Sequence, residues 1–145
     1  MKKIFTKICI ASDHAGYALK EKIKEYLIDK SISVIDLGPF TDDSVDYPDY
    51  AKKVTKRINL RKSDAGILVC GSGTGMSIVA NKLKGIRAAQ CYSKLNTILS
   101  RQHNNSNIIC LGSRMLKYKE ALKYVTYFLN TTFERGRHQK RINKI

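Results

Sequence analysis

The stretch Cys70-Gly71-Ser72-Gly73-Thr74-Gly75 places a thiol ahead of three glycines at alternate positions. Such a loop lets backbone N–H groups turn toward one point, and a helix that follows adds the partial positive charge of its N-terminus. The chemistry on offer is anion binding, of a phosphate, a carboxylate or an enolate. A cysteine at the mouth of the loop is favoured as the thiolate, although buried cysteines are ordinarily inert. The spacing is G-x-G-x-G, whereas a dinucleotide fingerprint reads G-x-G-x-x-G and belongs in the first βα turn, here Ser12-Asp13-His14-Ala15-Gly16. No Gly-Lys-Ser/Thr follows, which excludes a P-loop. A cysteine phosphatase needs an arginine in the nucleophile's own loop, and neither Cys9 nor Cys70 has one closely downstream.

Three further groups of residues carry chemical potential. His103 shares a segment with Arg101 and Asn104. Its near-neutral pKa suits proton shuttling, but a lone histidine at a helix end is ordinarily a cap or a surface group. Asp13 could cap the helix that begins near Gly16. Arg137 and Arg141 are four apart, so on a helix they share a face. They read either as a solvated basic tail or as a bidentate phosphate clamp.

These residues need elements to position them. Short apolar runs at Lys7–Ala11, Ser33–Leu37, Ala65–Cys70, Ile86–Cys91 and Asn107–Leu111 read as strands. Amphipathic stretches separate them. Tyr17–Asp29 gathers Leu19, Ile23, Tyr26 and Leu27 on one face, with Lys20, Lys22, Lys24 and Glu25 mostly off it. Asp46-Tyr47-Pro48 starts a helix running to about Asn59. Thr74–Asn81, Lys94–His103 and Lys117–Asn130 complete the set. Five strands alternating with five helices imply an α/β, Rossmann-like three-layer sandwich with a five-stranded parallel sheet. Its ligand crevice lies outside the strand ends. Only the tail, Phe133–Ile145, falls outside the alternation.

With 145 residues, 43% hydrophobic and 27% charged, the chain fits one globular domain. Cys9, Cys70, Cys91 and Cys110 form no C-x-x-C pair, so a zinc ribbon is excluded and buried thiols in a reducing compartment are expected. The N-terminal stretch lacks a signal-peptide core. The longest uncharged stretch, Ala65 to Asn81, holds four glycines and two serines and makes a poor membrane span. A cytoplasmic protein is expected. The net charge of +15 is uneven: residues 1–64 carry 13 Lys/Arg and 10 Asp/Glu, residues 65–145 carry 14 Lys/Arg against Glu120 and Glu134 alone. Lys2, Lys3, Lys52 and Lys53 read as solvated surface. The basic second half could attract nucleic acid or a small phosphorylated ligand. No nucleic-acid recognition motif is present, and aromatic residues are 8% with no tryptophan.

Taken together, SDHAGYALK, VIDLG, DYPDYA, GILVCGSGTGMSIVANKLKGIRAA, SRQHNNSN, GSR and GRHQKRI make the chain resemble the ribose-5-phosphate isomerase B family, which includes the galactose-6-phosphate isomerase subunits. The resemblance implies interconversion of ribose 5-phosphate and ribulose 5-phosphate through a cis-enediolate, without metal or cofactor. A hexose 6-phosphate (allose or galactose) is the alternative substrate. It implies a homodimer or dimer of dimers with active sites shared between chains, and neither nucleic acid nor membrane as a partner. Carried over by position, Cys70 is the base and His103 opens the furanose ring. The part of the family that uses a loop glutamate as base departs from this sequence, whose loop offers Gly75. Asp13, His14 and Tyr47 line the sugar site, and Asn104 helps hold the substrate. The amides of Gly71, Ser72, Gly73, Thr74 and Gly75 stabilise the enediolate oxygen. Arg114, Arg137 and Arg141 hold the phosphate, so the tail 133–145 completes the site. Ser72 stands where the family often has threonine, and the hydroxyl is kept.

Overall fold

Consecutive apolar residues bounded by Lys7 and Asp13 leave the first strand nothing but core on both faces, and β1 (Ile8–Ser12) is buried throughout. The computed structural model describes residues 3–145; the expectation for Lys2 lies outside them. After β1 come α1 (Tyr17–Asp29), β2 (Val34–Asp36), α2 (Tyr47–Asn59), β3 (Ala65–Cys70) and α3 (Thr74–Ala80). Then come β4 (Ala88–Gln90), α4 (Lys94–Gln102), β5 (Ile108–Gly112), α5 (Tyr118–Asn130) and α6 (Arg137–Ile142). The five strands form one sheet in the order β2-β1-β3-β5-β4, and every pairing is parallel. Alternate residues feed two cores. Ile10, Ile67, Val69 and Leu111 pack with Ile23, Val125 and Phe128 beneath α1 and α5. Cys9, Leu68, Ile108 and Cys110 pack with Val54, Met76 and Ala80 beneath α2 and α3. The three-layer sandwich is as expected. No helix among the described residues is long and apolar enough to cross a membrane.

The structure alters two local expectations. The edge strand β4 is shorter than the run Ile86–Cys91. Ile86 instead closes a turn onto Leu83 and buries its side chain under α3, while the Arg87 amide donates to Asn107 Oδ1. Lys20 is not off the packed face of α1 but fully buried. Its ammonium donates to Asp36 and to the Pro39 carbonyl at 2.8 Å, and sits between the Tyr17 and Phe40 rings. A buried ammonium persists only where its charge and donors are matched, and here that pairing ties α1 to the loop leaving β2. The tail, outside the alternation, forms α6, which docks beside the C-terminal end of α4, where Glu134 N donates to the Gln102 carbonyl at 3.0 Å.

Candidate active site

Strand β3 delivers Cys70 to the sheet's C-terminal edge with its side chain on the α2/α3 face. Beyond it the chain turns sharply. Gly73 takes φ +80°, a left-handed conformation that side-chain-bearing residues avoid. The Gly73 amide donates to Cys70 Sγ at 3.1 Å, and the Thr74 amide to Ser72 Oγ at 3.3 Å. The amides of Gly71, Ser72 and Gly75 donate to no other described residue. Two side chains press on the loop where glycine leaves room. A Cβ on Gly71 would stand 2.9 Å from an Arg114 guanidinium nitrogen, and one on Gly75 2.8 Å from the Tyr47 ring. The Ser113 amide bonds the Cys70 carbonyl at 2.8 Å and the Arg114 amide the Gly71 carbonyl at 2.9 Å, so the chain after β5 is laced to the loop.

A cavity of about 340 Å³ opens here, lined by Asp13, Tyr47, Cys70, Gly71, Ser72, Gly75, Arg114 and Met115. That volume suits a small metabolite. Asp13 is buried and one of its oxygens accepts from the Gly16 amide at 2.9 Å, which closes the turn before α1; the N-cap itself is Gly16, without a side-chain cap, so Asp13 does not cap the helix. His14 is exposed and hydrogen-bonds the Val45 backbone through Nδ1; it faces an adjoining cavity shared with Asp13 and Tyr47. Cys9, Cys91 and Cys110 are core. Burial pushes the Cys110 thiol well up and the Cys91 thiol up to about 11.

His103, Asn104, Arg137 and Arg141 are not in this cavity. Helix α4 leaves the C-terminal edge after β4 and runs back over nine residues, about 13 Å at helical rise. His103 caps it at the opposite edge, and the carbonyls of Asn104 and Asn105 accept from Arg87 Nε beside the start of β4. Within one chain the tail docks on the far end of α4, away from the Cys70 cavity. There the His138 ring stacks on His103 at 4.2 Å and 14°. His138 Nε2 lies 3.6 Å from a Glu134 oxygen, and Arg137 and Arg141 are exposed on the same short helix. Arg101, buried one turn earlier, donates to the Thr131 and Ser106 carbonyls. Burial, with the charge of Arg87, pushes its guanidinium down to about 10, still cationic at neutral pH.

His103, Glu134 and His138 bring three potential ligand atoms within 4.8 Å of one another. The stack argues against a metal. Ring lone pairs lie in the ring plane, so two nearly parallel imidazoles point side by side and do not converge on one ion.

A strand-end cysteine in a glycine loop thus shares one cavity with an arginine and a carboxylate. Residues 8–145 match the family described as Ribose/Galactose Isomerase. This chain belongs to that family. A probable ribose-5-phosphate isomerase B of Mycoplasma genitalium is 47% identical over 140 residues, covering 95% of this chain and 92% of the relative. The Escherichia coli ribose-5-phosphate isomerase B is 41% identical, covering 96% and 93%. Among solved structures, a ribose 5-phosphate isomerase of Thermotoga maritima superposes with a TM-score of 0.94 at 52% identity, covering 96% of each chain. The Mycoplasma genitalium enzyme with bound ribulose 5-phosphate gives 0.91 at 46% identity, covering 95% and 92%.

Sequence reading of the ribose/galactose isomerase site passed over two side chains, Gln90 and His138. Gln90 ends β4, and its amide nitrogen donates to the Ser72 carbonyl and to Thr74 Oγ1, both at 3.0 Å. The rule that strand ends carry the site points to Gln90 once β4 ends there. His138 gave only the weak signal of a histidine in a basic tail.

Proposed function

We infer that this chain interconverts ribose 5-phosphate and ribulose 5-phosphate, with each active site assembled from two copies of the chain. The observation that carries the reading is the Cys70 sulfur, opening onto a sugar-sized cavity while accepting the Gly73 N–H. The solved relative that binds ribulose 5-phosphate supports the substrate. The hexose 6-phosphate alternative is not favoured, since the relatives named above carry ribose 5-phosphate in their names.

In this reading Cys70 removes the proton from C2 of the open-chain aldose, leaving a cis-enediolate, and returns it to C1 while the O2 hydroxyl proton passes to O1, giving the ketose. The unpartnered loop amides receive the oxyanion, each such donor contributing on the order of 3 kcal/mol to the transition state. Asp13, His14 and Tyr47 border the sugar. His103 opens the furanose ring, Asn104 holds the substrate, and Arg137 and Arg141 join Arg114 on the phosphate, fixing C1 and C2 against the sulfur. His103, Asn104 and the tail arginines come from a second copy, because in their own chain they stand at the other edge of the sheet. The exposed apolar side chains of Tyr92, Leu95 and Met115, around the same edge as Cys70, give that copy a surface to cover. Four unpaired thiols fit a reducing cytoplasm.

Turnover of ribose 5-phosphate by the parent protein and by Cys70→Ala tests the assignment. The variant is expected to lose about 1,000-fold in kcat, the scale of general base catalysis, while still binding ribulose 5-phosphate. Undiminished turnover in Cys70→Ala would falsify the base.

A further inference from the structure

The Gly73 N–H that meets the Cys70 sulfur belongs to the same peptide unit as the Ser72 carbonyl. A peptide unit is planar and trans, so its C=O and N–H point in opposite directions. Whatever fixes the Ser72 carbonyl therefore aims the Gly73 N–H. Gln90 does so, donating from Nε2 to the Ser72 oxygen at 3.0 Å and to Thr74 Oγ1 at 3.0 Å. We propose that Gln90 is a positioning residue for Cys70, locking the Ser72–Gly73 peptide with its N–H on the sulfur.

The glycine that follows makes the lock necessary. With Gly73 free of a Cβ, the Ser72–Gly73 peptide has an accessible flipped orientation. A flip would turn a carbonyl oxygen toward the sulfur and repel a thiolate. A hydrogen bond to the Ser72 carbonyl also polarises the unit and strengthens its N–H as a donor. Gln90 is itself braced. Its backbone carbonyl accepts from Asn96 Nδ2 at 2.9 Å, and Asn96 forms the capping box of α4 with Ser93. On the other side of β4, Asn81 and Ala88 exchange two hydrogen bonds that tie the strand to the end of α3. The short edge strand thus acts as a bracket holding the loop from outside.

This inference rests on the reading of Cys70 as the base, and its test separates the two. Gln90→Leu removes both donors without adding a charge. Gln90→Glu keeps the size and, near neutral pH, offers the Ser72 carbonyl only acceptor oxygens. Cys70 alkylation by iodoacetamide is followed by peptide mass spectrometry, with Cys9, Cys91 and Cys110, which do not line the cavity, as internal references. The other titratable groups facing the sulfur are Asp13 after β1, Tyr47 on α2, Arg114 after β5 and Cys110 on β5, and neither variant alters them.

Alkylation at about pH 7 is expected to slow about tenfold in both variants, the scale of one hydrogen bond to an ionised group. At about pH 10, where a thiol ionises without help, the three proteins react alike. Turnover of ribose 5-phosphate falls by a similar factor in kcat, with KM within about twofold, the pattern of an interaction made at the reacting centre. Equal alkylation at about pH 7 overturns the proposal, whatever the turnover does. Slowing that persists at about pH 10 overturns it too, since the sulfur is then misplaced, with its charge no less supported. If Gln90→Leu does not fold, Gln90→Glu alone decides by the same two rates. Slowed alkylation at about pH 7 with undiminished kcat upholds the positioning role and removes Cys70 as base.

Discussion

At the C-terminal edge of the sheet the chemistry is held by main chain; at the opposite edge it is held by side chains. Cys70 is 4% exposed, and its loop is held mainly by backbone donors from Ser113, Arg114 and Gly73, with the Gln90 side chain bracing the Ser72 carbonyl. The far edge presents His103, Asn104, Arg137 and Arg141 on a helix end and a six-residue helix, docked by one ring stack, one backbone bond from Glu134 to Gln102 and a bond from the Arg101 side chain of α4 to the Thr131 carbonyl. The first arrangement suits a group that must not move by a fraction of an ångström while it passes a proton. The second suits groups that must meet a substrate arriving with another copy of the chain. On the proposed reading the site is complete only in an assembly, so the two edges should fail independently.

Mixing two dead variants breaks or confirms that independence most sharply. Cys70→Ala damages one edge and His103→Ala the other. Each alone is expected to be nearly inactive on ribose 5-phosphate. After unfolding and refolding together in equal amounts, half the dimers are mixed, and each mixed dimer carries one undamaged site. Activity should return to about a quarter of the parent value. No recovery in mixtures shown by mass spectrometry to contain mixed dimers would place both groups in one chain's site.

Glycine replacements sharpen the contrast at the level of stability. A Cβ on Gly112 would lie 2.6 Å from the Ser72 carbonyl carbon and oxygen, and backbone cannot move aside. Gly112→Ala should cost about 2 kcal/mol, lowering Tm by about 4–8 °C and kcat with it. A Cβ on Gly136 meets nothing within 4 Å, but its φ of +53° strains any other residue. That strain is relieved by letting the tail fray. Gly136→Ala should therefore leave Tm within about 2 °C while weakening phosphate binding about threefold or more. Equal effects on Tm would mean the tail belongs to the same cooperative unit as the sheet.

The same division decides what could be read in advance. Strand ends follow from apolar runs and glycines, so Cys70, its loop and the placement of Asp13 and Arg114 after neighbouring strands were legible, as was the parallel sandwich; Tyr47, at the start of α2, was placed only by the family resemblance. Which edge a helix end occupies was not weighed: α4 had to run back along the sheet, which carries His103 away from Cys70. Lys20 was misplaced because periodicity judges a side chain by polarity alone. Its burial depends on Asp36 and the Pro39 carbonyl, sixteen and nineteen residues on. Gln90 was missed because the run was read on to Cys91, whereas the strand ends at Gln90, so this side chain did not stand at the expected strand end. His138 was missed because its burial comes from a tertiary stack that no local pattern announces.

The mildest test concerns pH and should touch only the far edge. His138 is held below the ordinary histidine value of 6.5 by burial first, then by the charges of His103 and Arg137, with Glu134 opposing and Arg141 adding. A base whose pKa is lowered on docking is docked at full strength above 6.5. As pH falls below 6.5 the undocked tail takes up a proton before the docked one, so docking weakens, and the loss levels off below the docked pKa. Amide exchange in residues 133–145 should therefore rise, relative to exchange in the β-strands, between about pH 7 and about pH 5. Glu134→Gln removes the opposing charge and should deepen the effect. His138→Phe keeps an aromatic ring against His103 but has nothing to titrate, so its tail exchange should follow the strands throughout. A tail that loosens equally with phenylalanine at 138 would assign the acid sensitivity to another group, and the ring stack would then be holding the far edge by contact alone.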